Sequence, residues 1–107
     1  MKDALSGKKP DVWVDLKFYP VDQGGPEREK SQGWECVCFE DIERTKPGHH
    51  GWPLLADKPM GAGETRRVGF VFLAGDSVAE EYRDVGKFYV WEGRVIGEAD
   101  IVPSLKE

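Results

Sequence analysis

Sulfur is scarce in this chain: its 107 residues include two cysteines and two methionines. Two cysteines cannot build a disulfide framework, and Cys36 and Cys38 stand only two positions apart. In an extended strand that spacing points both side chains to one face in parallel, with Cα atoms near the upper limit for a bridge. No disulfide is expected between them. Long apolar runs are missing as well, and none approaches the roughly 18 residues of a membrane-spanning helix. The stretch from Met1 to Pro10 is polar and lacks the apolar centre of a secretory signal. Bases are outnumbered, 15 Lys and Arg against 20 Asp and Glu, which leaves a net charge of −5. An acidic surface repels phosphate, so general nucleic-acid binding is disfavoured. There is no internal repeat and no low-complexity tract. These absences point to a soluble, reduced, cytoplasmic protein that does not enter a membrane.

Glycine (13 residues) and proline (7) are plentiful, and aromatics comprise four Trp, three Tyr and five Phe. Glycine and proline at this level favour short strands joined by turns over long helices. The aromatics carry most of the burial energy, at about 25 cal/mol per Å² of apolar surface removed from water. The length suits one domain with a modest stability margin. Residues 10–103 are expected to form that domain, with 1–9 a disordered leader and 104–107 a tail.

From Asp11 the sequence alternates, with Val12, Val14, Leu16 and Phe18 on one face and Trp13, Asp15, Lys17 and Tyr19 on the other. Period two over eight residues predicts a half-buried strand, ended by Pro20. Residues 21–33 read as a loop punctuated by Gly24, Gly25 and Pro26. An extended segment follows from Trp34 to Ile42, with Cys36 and Cys38 on one face and Val37 and Phe39 on the other. Residues 43–63 are long and irregular, and Trp52 to Ala56 is either a hidden strand or an anchor for the loop. Arg66 to Ala74 alternates again, apolar on both faces, as in a central strand or one whose outer face is covered by a loop. Ser77 to Glu80 fits a capping box that opens one short helical turn, closed by Gly86. Lys87–Trp91 and Arg94–Val102 form a hairpin about Glu92-Gly93. On its second strand Val95, Gly97, Ala99 and Ile101 share a face, and the small residues among them suit a tapering interior. Five to six short strands at this spacing predict an all-β fold, a small antiparallel β-barrel of about six strands.

Cys36 and Cys38 with His49 and His50 supply the four N/S ligands a zinc site needs. One residue between the cysteines is shorter than the usual spacing, however, and adjacent histidines rarely share an ion; thiols packed in a strand are the simpler account. A thiol nucleophile with a histidine base is a further reading. Glu35, Glu40 and Asp41 stand nearby, and negative charge disfavours the thiolate. Arg66 and Arg67, with Arg83 and Arg94, are candidates for a basic patch, but Arg66 and Arg67 point to opposite faces and cannot both serve one surface; solvated charge paired with nearby carboxylates is the simpler account. The carboxylate pairs Glu40-Asp41 and Glu80-Glu81 diverge, as adjacent residues do on a strand or a helix. The stretch from Pro47 to Pro53 is either a recognition loop or a segment whose Trp52 plugs the barrel end. This reading assigns no catalytic residue, no metal and no cofactor. The candidate partner contacts are Trp34, His49, His50, Trp52 and Trp91.

The stretch GKFYVWEGRVIGEADIV, residues 86–102, resembles the closing hairpin of the third, C-terminal domain of elongation factor Tu. Gly86, Tyr89, Glu92, Gly93, Gly97 and Ala99 fall at or near that hairpin's typical Gly-x-x-Phe, Arg-Glu-Gly-Gly and Val-Gly-Ala-Gly positions. DLKFYPVDQGGPE (15–27), GWECVCF (33–39) and MGAGETRRVGFVF (60–72) resemble earlier strands and turns of the same domain, in the same order. The resemblance implies a stand-alone β-barrel module related to translation. It implies no GTPase, because the Gly-x-x-x-x-Gly-Lys-Ser/Thr loop is absent. That domain helps to hold tRNA, but two of its arginine positions are Glu35 and Trp91 here, which weakens any phosphate-binding surface. The expectation is therefore a non-catalytic binding module with a protein partner. A tRNA- or RNA-binding domain is the alternative, and a small thiol enzyme or zinc domain the third.

Overall fold

The computed structural model describes residues 7–103; the expected tail, 104–107, and the first six residues of the expected leader lie outside the described residues. Six strands carry the fold: β1 (Val12–Phe18), β2 (Cys36–Phe39), β3 (His49–Pro53), β4 (Thr65–Phe72), β5 (Lys87–Trp91) and β6 (Val95–Ile101). One helix, α1 (Asp76–Val85), joins β4 to β5, and a 3-10 turn, Val21–Gln23, follows β1. The strands close into a barrel in the order β1-β4-β3-β2-β5-β6, and every pairing is antiparallel. The expected all-β barrel is thus the observed architecture. Closure leaves no strand edge unpaired.

The alternation in the sequence sets the interior. Val12, Val14, Leu16 and Phe18 from β1, Val68, Phe70 and Phe72 from β4, and Phe88 and Val90 from β5 all lie in one buried cluster. At one end of the barrel α1 lays Val78, Ala79 and Tyr82 over the opening. Tyr82 stacks on Phe88 at 5.0 Å between ring centres and meets Phe72 edge-on at 5.5 Å. Such pairs add about 0.5–1.5 kcal/mol each beyond their area burial. α1 is longer than the single turn expected, and no capping box forms. The residue at its start is Gly75, with no side-chain cap and φ +70. Its N–H closes a turn onto the Phe72 carbonyl at 3.0 Å. That turn starts the helix ahead of Ser77, and burial of Val78, Ala79 and Tyr82 then extends it.

The last strand carries a bulge. Val90 faces Gly97 while its neighbour Trp91 faces Val95. Ile96 is the extra residue, and the bulge turns it into the barrel, where 1% of it is exposed. Two glycines are required by close approach. A Cβ on Gly97 would stand 2.4 Å from the Lys17 carbonyl oxygen, and one on Gly25 1.6 Å from that of Tyr19. The extended segment expected over 34–42 shrinks to the four residues of β2. Within the irregular stretch the hidden strand is His49–Pro53, earlier than Trp52 to Ala56.

Candidate functional site

The five sequence candidates occupy separate parts of the barrel. Trp34 lies at the end away from α1, half-buried and edge-on to Phe18 at 5.7 Å. Its indole N–H donates to Glu92 at 2.9 Å, and Lys30 reaches the other oxygen of the same carboxylate at 2.5 Å. Burial pushes the Glu92 carboxyl up, but the bonds from Lys30 and Trp34 outweigh it, and the group titrates below its ordinary value. This arrangement ties the loop before β2 to the β5–β6 turn. Arg94 reinforces it by donating to the carbonyls of Gly24 and Gly25 at 2.9 and 2.8 Å.

His49 and His50 are adjacent on β3 and therefore point opposite ways. His49 lies edge-on to Tyr82 with Glu81 at 3.6 Å, whereas His50 is exposed and meets Glu35 at 2.6 Å. Trp52 is 6% exposed yet stands outside the core cluster, paired across β4 with Val71 on the outer wall. It neither plugs the barrel end nor offers much surface. Trp91 is half-buried on the outside of β5, edge-on to Phe39 at 6.3 Å, with the Arg44 guanidinium over both rings.

Cys36 and Cys38 are free thiols inside the barrel, with sulfurs 3.9 Å apart. Burial pushes the Cys38 thiol well above its ordinary range, and contact with Cys36 adds to the shift. A thiol in that setting stays protonated, which opposes both attack and metal ligation. His49 and His50 lie on opposite sides of the wall that holds the cysteines, so the four proposed zinc ligands do not converge. Among the described residues no three His, Cys, Asp or Glu side chains gather as a metal would need. The two arginines of β4 likewise part. Arg66 turns to Glu64 and to the carbonyls of Lys58 and Pro59, and Arg67 forks onto Asp15 on the opposite face.

A groove missed by the sequence reading lies where β1 begins and β6 ends. It holds about 550 Å³, within the usual size range of ligand pockets, and is lined by Trp13, Ile101, Val102 and Pro10 with Lys9, Arg67 and Arg83. Trp13 is the aromatic of this face, 40% exposed. It projects outward because its neighbours Val12 and Val14 take the interior. Across β4 from it stands Gly69, over which Pro10 and Leu54 fold. Arg83 arrives from α1 and donates one bond to the Asp11 carbonyl at 2.6 Å. Asp11 itself accepts the Phe72 N–H at 2.9 Å. Outward alternation from Val12 already marked Trp13 as exposed. The arginine beside it comes from a helix 70 positions away, which no local pattern reveals.

A second hollow, about 220 Å³, lies beside Glu92, but Lys30 and Arg94 there are already engaged in the ties to Glu92, Gly24 and Gly25. No helix is long and apolar enough to cross a membrane among the described residues. Comparison of the chain with protein-family models, with curated proteins and with solved structures found no match.

Proposed function

We propose that this chain is a non-catalytic binding module that holds a protein partner in the groove beside Trp13. The observation that carries the reading is an exposed indole next to cations with spare hydrogen-bonding capacity. Aromatic and Arg side chains are the types that dominate binding at protein interfaces. The reading also draws on the buried setting of Cys38, which raises its thiol and opposes its use as a nucleophile even though His49 stands across from it on β3. The barrel architecture agrees with the sequence resemblance to the third domain of elongation factor Tu, and we retain that kinship as part of the proposal. Cytoplasmic residence belongs to the same reading. The net charge of −5 favours a protein partner over RNA.

Crosslinking tests this directly. A photoreactive residue placed at position 103, on the exposed lining of the groove with Trp13 intact, should capture one defined partner from native lysate. The same residue at position 58, on an exposed loop outside the groove lining, should not. Capture of tRNA at position 103, or equal capture from both positions, would remove the reading.

A further inference from the structure

Resting on the reading that the groove beside Trp13 is a binding site, we propose that its occupant is an acidic peptide segment. One large apolar side chain of that segment lies against Trp13, and its carboxylates meet Arg83 and Lys9. The first argument is charge. The chain as a whole carries −5, yet the groove is lined by three cations and a single carboxylate, Asp11. That carboxylate already accepts the Phe72 N–H. Of the cations, Arg67 is committed to Asp15 through two bonds. Arg83 and Lys9 form no ion pair among the described residues. The one bond that Arg83 makes, to the Asp11 carbonyl, leaves most of the donors of its guanidinium for a ligand.

The second argument is shape. β1 is paired on both sides, to β4 and to β6, so a peptide cannot add to the sheet as another strand. Recognition must then rest on side chains. The wall of Trp13, Ile101, Val102 and Pro10 supplies the apolar contact, and the cations stand at its rim. A volume of about 550 Å³ takes a few residues, not a duplex. A short segment with a few carboxylates also avoids the long-range repulsion that an acidic protein exerts on a long polyanion.

The test uses the full chain and two blocked peptides, one with a Phe between glutamates and a twin with glutamines in their place. Titration calorimetry measures affinity, and the NMR signal of the Trp13 indole N–H reports the place. The glutamate peptide should bind about tenfold tighter than its twin and shift the Trp13 signal. Raising salt from about 50 to about 300 mM should weaken it severalfold. Arg83→Gln should cost about threefold, while Arg83→Lys keeps most of the affinity. Equal affinity for both peptides, with Trp13 still shifting, would overturn the acidic occupant and leave the groove as a binding site. Binding that leaves Trp13 unmoved would overturn both readings. Failure of the glutamate peptide to bind, its displacement by tRNA, or a gain in affinity on Leu105→Ser (which would assign the groove to the chain's own end) would each overturn the acidic segment.

Discussion

The hydroxyl of Tyr82 donates to the carbonyl of Cys38 at 2.9 Å, and this buried bond joins α1 to β2 across the mouth of the barrel. The same ring stacks on Phe88 and lies edge-on to Phe72 and His49, so one side chain from the helix contacts four strands at once. Burial raises the phenol far above its ordinary range, so it remains a donor at all working pH values. Tyr82→Phe keeps the packing and loses the bond. We expect it to lower unfolding free energy by about 1 kcal/mol, and Tyr82→Ala by about 4 kcal/mol, in urea denaturation followed by Trp fluorescence. Equal losses for the two variants would show that the hydroxyl, not the ring, holds the helix.

The two thiols are shielded by the fold: Cys36 is 2% and Cys38 0% exposed. In the native protein both should resist an aromatic disulfide reagent. In strong denaturant two thiols per chain should react within the mixing time. One fast thiol in the native state would contradict the interior position of β2's inward face.

Glu92 gives a pH dependence of defined sign. Its folded carboxyl is held below the ordinary value of 4.5 by Lys30 and Trp34, against an opposing effect of burial. The unfolded chain therefore takes up the proton at higher pH than the folded one. The contribution of this group is complete above pH 4.5 and fades as pH falls through the lowered folded value. Glu92→Gln should destabilise the protein at neutral pH, and the gap to the parent should narrow as the solution is acidified below about 4.5. A gap that is constant with pH would show that the carboxylate's charge contributes nothing.

Gly97 packs directly against the β1 backbone. Gly97→Ala drives a methyl into the Lys17 carbonyl, a backbone atom that moves only with its strand. The expected cost is about 3 kcal/mol by thermal or chemical unfolding. Gly63→Ala is the comparison: that site has open space but φ +80. Its cost should be about 1 kcal/mol, from backbone strain alone. Equal costs at the two sites would mean that the strands can separate to admit a methyl.

What the sequence determined by itself was the local part. Alternation marked β1 and β4 and the apolar face of β1, and it put Gly97 and Ala99 of β6 on an inward face, because an extended backbone sends neighbouring side chains to opposite sides whatever its partners are. Turn glycines placed the β5–β6 hairpin for the same local reason, and the small Gly97 already pointed to a crowded wall. Only the tertiary structure decided the closing order of the strands, the length of α1, and the bulge that turns Ile96 inward. It also hid Trp52 on the outer wall and brought Arg83 beside Trp13. These depend on residues far apart in the chain that meet only when the barrel closes. An isolated stretch of sequence holds no record of which distant side chain will cover it.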